Sequence, residues 1–340
     1  MPGLELTLEP GLVLVTGPNG SGKTNLLEAM HVGTQGFSPR TRSDAHLVRH
    51  GAEGARIGLT GSRAGVPTSV AVTLGLREAK RARLNGAPLR STEQLRSEVS
   101  TLVFTPDRLA VVKGGPAARR AYFDRTLGRL YPARATLPFE YGAAVGQRNA
   151  ALRRVAVGAS SRDSIVPWTA QVAALGAALV ATRRDVVDLL SPAFAERADE
   201  LGVPAALLAY DAEPPTVAAL ELRLDRDVER GVTGIGPHLD DVGVRSGARD
   251  LRIYGSQGEQ RLAVLALLLA EAELLSARRG VPPLLLLDDV LSELDAGRRR
   301  ILSERIGVTG QAIVTATGAE ALPHAPAQLL AVTPGQVGRG

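Results

Sequence analysis

The sequence predicts an α/β protein: a parallel-sheet head with an antiparallel β lobe, interrupted by a compact, mainly helical second domain. Three observations predict it. Two all-apolar runs, Leu12-Val13-Leu14-Val15 and Leu284-Leu285-Leu286-Leu287, read as strands buried on both faces. Each ends in a chemically distinctive turn, GPNGSGKT at 17–24 and Asp288-Asp289 respectively. From about residue 107 onward, strand signals give way to helical periodicity. The expected division is 1–106 with 207–340 as one head, and 107–206 as the insertion.

The first turn matches G-x-x-x-x-G-K-[ST], with Gly17, Gly22, Lys23 and Thr24 at the defining positions and Pro18, Asn19, Gly20 and Ser21 between them. It follows a strand and opens into a good helix start at 25–30, the context such a loop requires. Glycines let backbone N–H groups turn inward around phosphate oxygens, and the helix N-terminus adds a positive dipole end. Lys23 is expected to reach the β- and γ-phosphates of ATP, and the Thr24 hydroxyl to ligate Mg2+. Lys23, Lys80 and Lys113 are the only lysines in the chain, so a lysine at this position is not compositional noise.

Next come signals of mixed strands and turns. Residues 55–59 and the alternating Val70, Val72, Leu74 and Leu76 read as antiparallel strands with one wet face. Asn85-Gly86 is a hairpin turn, Ser91 caps a short helix, and Leu102-Val103-Phe104 is a further strand. The helical region follows, its longest amphipathic piece spanning 173–190, with Ser191-Pro192 expected to interrupt it. Residues 207–210 and 220–224 suggest a return to strand. There is neither an internal repeat nor a sustained heptad pattern, which argues against a long coiled-coil arm.

Ser256-Gln257-Gly258-Glu259-Gln260-Arg261 introduces a strongly helical stretch, with Ser256 as N-cap and Glu259 completing a capping box. In isolation, a well-capped core helix is the simpler account. Its place shortly before the acidic strand, however, is the order found in ABC-type ATPase heads. There a Ser-x-Gly-x-Gln signature contacts the γ-phosphate bound by a second copy. That likeness assigns Ser256, Gly258 and Gln260 to a partner's nucleotide and predicts an ATP-dependent homodimer.

Ligands of open α/β sheets sit at the carboxyl ends of strands. Asp288 is therefore the expected magnesium residue and Asp289 the residue that orients or deprotonates the attacking water. Many ATPases of this type carry Glu in the second position, so the shorter Asp289 predicts slow turnover. Ser292-Glu293-Leu294-Asp295 resembles the loop that runs along the dimer interface, which adds Asp295 to the expected nucleotide contacts. Thr315 and Thr317 stand where many ABC ATPases carry a γ-phosphate-sensing His.

Composition sets outer bounds. The chain has 340 residues, no cysteine and a formal net charge of +5. It is long enough for two cores and holds no disulfide framework or thiolate metal site. With no run of eighteen apolar residues and no signal-peptide pattern, a soluble cytoplasmic protein without membrane partners is expected. His46 and His50 have a metal-like spacing without further ligands, and read better as surface residues.

The whole pattern resembles the RecF family of bacterial recombinational-repair ATPases, which have an ABC/SMC-type head. Besides GPNGSGKTNLLEA, the likeness rests on residues 36–51 with Arg40, Arg42, Asp44 and Arg49, VFTPDRLAVVKGGPAARRAYFDRTL at 103–127, GPHLDDV at 236–242, YGSQGEQR at 254–261 and LLLLDDVLSELD at 284–295. Two departures stand out. Leu239 follows GPH where the family usually has Arg. Only residues 1–11 precede the P-loop strand, where the family usually has an extra strand and a Phe-Arg turn. The resemblance implies a slow, DNA-dependent ATPase that dimerises on ATP and recognises gapped DNA or single-strand/double-strand junctions. With RecO and RecR it would help load RecA in repair, replication recovery and SOS induction. Arg40, Arg42, Arg119 and Arg120 are the candidate phosphate contacts, through salt-dependent binding with little sequence preference. The competing readings are a transporter nucleotide-binding subunit, which the helical insertion and GPHLDDV disfavour, and an adaptor with a decayed site, which the intact Lys23, Thr24, Asp288 and Ser256 disfavour.

Overall fold

An apolar strand with no polar face is stable only where neighbours cover both its sides. In the computed structural model, which describes residues 3–41, 43–308, 310–334 and 336–339, Leu12–Thr16 and Leu284–Leu287 both lie inside a six-stranded sheet. Its order is Gln336–Arg339, Gln328–Thr333, Leu12–Thr16, Ala312–Ala316, Leu284–Leu287, Thr101–Phe104. All neighbours pair in parallel except the antiparallel edge strand Gln336–Arg339. Val13, Val15, Leu27, Val103, Leu286, Ile313 and Leu330 form one buried cluster on it.

The chain divides into two compact units. The first comprises Met1–Leu109, Glu196–Val203 and Val264–Gly340; the second comprises Ala110–Ala195 and Pro204–Ala263. The first unit holds the parallel sheet and a four-stranded antiparallel lobe, in which Gly54–Arg63, Val66–Gly75, Arg81–Leu84 and Ala87–Pro88 are neighbours in chain order. Val70, Val72 and Leu74 point inward from the lobe and pack with Val32 of the P-loop helix, Lys23–Gln35. The Asn85-Gly86 turn is as expected: both residues have positive φ, at 48° and 81°, and the Asn85 side chain accepts from Ser69 N–H.

The second unit differs from the expected 107–206: it begins at Ala110 and leaves Glu196–Val203 to the first unit. It also takes Pro204–Ala263, because the chain after the long helix builds a three-stranded antiparallel sheet from Ala206–Ala209, Gly243–Ser246 and Arg249–Asp250. Residues 220–224 are not strand. Thr216 caps a helix at Val217–Leu222 by accepting from Ala219 N–H, and a second helix, Leu224–Arg230, follows. Leu224 and Val228 pack on Ala151 and Leu152 of the helix Leu137–Ala156.

Ser191-Pro192 does not end the long helix, which runs unbroken over Val166–Glu200. Proline removes one N–H donor and crowds the preceding turn. The Ser191 hydroxyl back-bonds to the Val187 carbonyl, and Leu190 and Phe194 are fully buried on either side of the proline. By length and composition this helix is apolar enough to cross a membrane. Its apolar face is instead core, with Leu179, Val180 and Val186 buried, and Arg183 is locked among polar partners.

Candidate nucleotide site

The P-loop leaves the carboxyl end of Leu12–Thr16 and closes on itself before the helix that starts at Lys23. Gly20 and Gly22 have φ of 80° and 111°, a region where L side chains are strained. Ser21 N–H donates to the Pro18 carbonyl. The Ser21 hydroxyl is buried in this cradle with no hydrogen-bond partner, as fits an oxygen-rich anion. Lys23 is buried, its Nζ donating to the carbonyls of Gly17 at 2.6 Å and Pro18 at 3.0 Å. The positive charge thus lies across the mouth of the loop, with Asn19 exposed at its tip.

Sheet register brings the acidic strand to the same end. Val15 pairs with Thr315, and Leu287 with Val314. Asp288, one residue on, thereby stands beside Thr315. The Thr24 hydroxyl donates to the Asp288 carboxylate, 2.9 Å to Oδ2 and 3.2 Å to Oδ1. A hydroxyl and a carboxylate are hard oxygen donors. They suit Mg2+, which takes one or two carboxylates and completes its shell with water and substrate phosphate. Among the described residues no cluster of three or more His, Cys, Asp or Glu is placed to hold a metal. Magnesium at this site would therefore depend on Thr24, Asp288 and the phosphates themselves.

Asp289 is half-buried and has φ of 49°, in the left-handed region that non-glycine residues seldom adopt. Its N–H donates to Thr315 Oγ1 at 2.9 Å. Thr315 itself is fully buried and donates to Asp288 Oδ1 at 2.7 Å. This corrects the expectation that Thr315 senses a γ-phosphate, because its hydroxyl is committed to both aspartates. Thr317, just past the strand, is exposed. Asp295 is exposed and caps the helix Ala296–Val308, accepting from Arg298 N–H and pairing with the Arg298 guanidinium.

The signature segment belongs to the second unit. The capping box is formed: Glu259 N–H donates to Ser256 Oγ, and Ser256 N–H donates to the Glu259 carboxylate. That backbone bond, with Arg249 beyond it, holds the Glu259 carboxyl below the usual range. Ser256, Gln257 and Gly258 are exposed, so a second molecule can reach them. Gln260 departs from the expectation. Its side chain is buried, and Nε2 donates to the carbonyls of Leu251 and Gly255. The first turn of the helix turns it under the signature, where it holds the loop rather than facing a nucleotide.

GPHLDDV wires the second unit internally. The Arg119 guanidinium grips Asp241 through two hydrogen bonds of 2.6 Å and also donates to the carbonyls of Val112 and Gly114. Arg120 donates to the Asp240 carbonyl. Arg119 is buried, so it is not a free phosphate contact. His238 Nε2 donates to the Thr233 carbonyl, which makes Nδ1 the acceptor for the Tyr141 hydroxyl at 2.8 Å. Burial lowers the His238 pKa and raises those of Tyr141 and Tyr210, the latter donating to Asp240. Gly236 is required here, since a Cβ would lie 2.4 Å from the Tyr141 oxygen. Leu239, the departure from GPH-Arg, is exposed. Arg40, in the first unit, folds back on Asn25 and Glu28 of the P-loop helix; Arg42 lies outside the described residues.

No spacing rule links residues 288 and 315; only the parallel register brings them together. A family described as the RecF/RecN/SMC N terminal domain matches residues 3–339. A DNA replication and repair protein RecF from Synechococcus sp. (strain JA-3-3Ab) is 36% identical over 98% of this chain and 93% of its own length. The protein of that name from Anaeromyxobacter dehalogenans (strain 2CP-1 / ATCC BAA-258) is 41% identical over 92% and 88%. Among solved structures, the recombination mediator protein RecF-ATP in the RecFOR pathway matches with a TM-score of 0.88 at 25% identity, covering 98% of this chain and 93% of that one. An Smc head bound to the C-winged helix domain of ScpA shares the fold at a TM-score of 0.55 and 15% identity, over 97% and 90%.

Proposed function

Because the chain belongs to the RecF family of DNA replication and repair proteins, we propose that it is an ATP-switched DNA clamp of the RecFOR pathway. The observation that carries the reading is the hydrogen bond from Thr24 to Asp288. It joins two distant sequence motifs at the carboxyl end of one parallel sheet, beside the Lys23 loop.

In this reading Gly17, Pro18, Asn19, Gly20, Ser21 and Gly22 cradle the phosphates of ATP. Lys23 exchanges its two carbonyl partners for phosphate oxygens. Thr24 and Asp288 hold Mg2+, which on binding would neutralise phosphate charge and orient the triphosphate. Asp289 orients the attacking water and accepts its proton. Ser256 and Gly258 of a second copy cap the γ-phosphate, with Asp295 along that interface, so nucleotide holds two heads together and hydrolysis releases them. The exposed capping box supports this role, since its hydroxyl and glycine backbone face outward without disturbing the helix they begin.

The DNA ligand is gapped duplex or a single-strand/double-strand junction, bound mainly through phosphates. With only 3% aromatic residues, extensive stacking on single strands is disfavoured. RecO and RecR are the protein partners, and RecA loading in the cytoplasm the outcome. Family membership also disfavours a transporter subunit. The test is mass in solution with and without ATP and Mg2+, alongside binding to gapped and continuous duplex in moderate salt. An ATP-independent monomer with normal turnover rules the clamp out.

A further inference from the structure

Thr315 touches both members of the Asp288-Asp289 pair through hydrogen bonds. Its Oγ1 donates to Asp288 Oδ1 at 2.7 Å and accepts from Asp289 N–H at 2.9 Å. The other carboxylate oxygen of Asp288 takes the Thr24 hydroxyl at 2.9 Å. One hydroxyl with one proton and free lone pairs can make both contacts at once, whereas a methyl can make neither. Thr315 is fully buried in the strand Ala312–Ala316, between the P-loop strand and the acidic strand. Its removal therefore takes one donor from the Asp288 carboxylate and one acceptor from the Asp289 N–H at a buried position, where each lost contact is costly.

The backbone makes the arrangement more telling. Asp289 sits at φ of 49°, which costs energy for any residue but glycine and persists only where neighbours hold it. The bond to Thr315 is made by the N–H of that strained residue. We propose that Thr315 is a positioning residue for ATP hydrolysis: it fixes the Asp288 carboxylate toward Thr24 and, through the same oxygen, holds the Asp289 backbone in the turn that aims its side chain. This rests on the assignment of Asp288 and Asp289 to the nucleotide reaction, and adds to it a residue that acts through both aspartates.

Thr315→Val preserves shape and removes only the hydroxyl, while Thr315→Ser keeps the hydroxyl and removes the methyl. Equilibrium binding of a fluorescent non-hydrolysable ATP analogue, titrated with Mg2+, reads the Asp288 half without turnover. Thr315→Val is expected to need about tenfold more Mg2+ for half-maximal enhancement of binding, with metal-free affinity unchanged. Its kcat is expected to fall about tenfold or more with little change in KM. Thr315→Ser is expected to stay close to the parent in both. Far-UV circular dichroism and thermal melting establish that each variant folds, with Thr315→Ala as the hydroxyl-free arm if valine does not. A folded hydroxyl-free variant with parental Mg2+ dependence and kcat overturns the proposal, as does a serine variant that behaves like valine. If instead Lys23→Met binds the analogue as well as the parent does, the nucleotide-site reading fails, and that outcome is separate.

Discussion

A Cβ atom at Gly17 would lie 2.2 Å from the carbonyl oxygen of Val332, on the strand next to the P-loop strand. Neither partner can yield, because Val332 is buried and its backbone belongs to the sheet. Gly17→Ala is expected to push the loop off the sheet, lower the melting temperature and abolish nucleotide binding. Calorimetric titration with ATP checks the second effect. A variant that still binds ATP normally contradicts the close packing.

Lys23→Met is expected to lose ATP binding and any nucleotide-driven association. Asp289→Asn is expected to retain binding and prolong the nucleotide-bound dimer, with turnover falling at least a hundredfold. Light scattering during a single round of ATP addition separates the two. Unchanged turnover in Asp289→Asn would sink its assignment.

Ser256→Ala removes a helix cap, at a cost of about 1 kcal/mol, and also the hydroxyl proposed to meet a partner's nucleotide. Glu259→Ala removes the other half of the box and spares that hydroxyl. Both variants are expected to melt earlier, but only Ser256→Ala is expected to lose ATP-driven dimerisation. Equal dimerisation of the two would leave the signature a structural cap alone.

Arg148 and Asp227 form an ion pair at 2.8 Å, with side chains 0% and 2% exposed, and Arg148 also donates to Thr169 and Thr233. Removing one member leaves a buried charge without its counter-ion. Arg148→Met is expected to destabilise the second unit by about 3–5 kcal/mol. Arg148→Met combined with Asp227→Leu is expected to recover part of that loss, as read by denaturant unfolding.

Burial holds the His238 pKa below its ordinary value of about 6.5. The folded chain therefore prefers the neutral ring, whose Nδ1 accepts from Tyr141. Stability from this contact is complete above the ordinary value and is lost as pH falls through it toward the folded pKa, because the unfolded chain binds the proton first. His238→Gln is expected to flatten the decline in melting temperature between pH 7 and pH 5. An unchanged slope would show that other groups cause it.

Much of the fold was legible because local signals agreed. The two apolar runs are central strands, Asn85-Gly86 makes its turn, and Ser256 with Glu259 forms its capping box. Errors arose where local and tertiary forces compete. Pro192 reads as a helix stop, yet buried neighbours and a back-bonding serine carry the helix past it. Residues 220–224 are apolar enough for strand, but Thr216 caps them as helix. Gln260 matched a signature by type, while its position on the helix turned it inward.

By itself, the sequence determined the chemistry: a phosphate loop with its lysine and threonine, paired carboxylates after a buried strand, and a glycine-bearing helix cap. Those depend on residue identity and spacing over a few positions, which local physics constrains. Only the tertiary structure decided which distant groups meet. Thr24 finds Asp288, and Thr315 finds both aspartates, because parallel pairing aligns the ends of strands nearly three hundred positions apart in the chain. Register is set by the summed packing of whole strands, and no short window of sequence contains it.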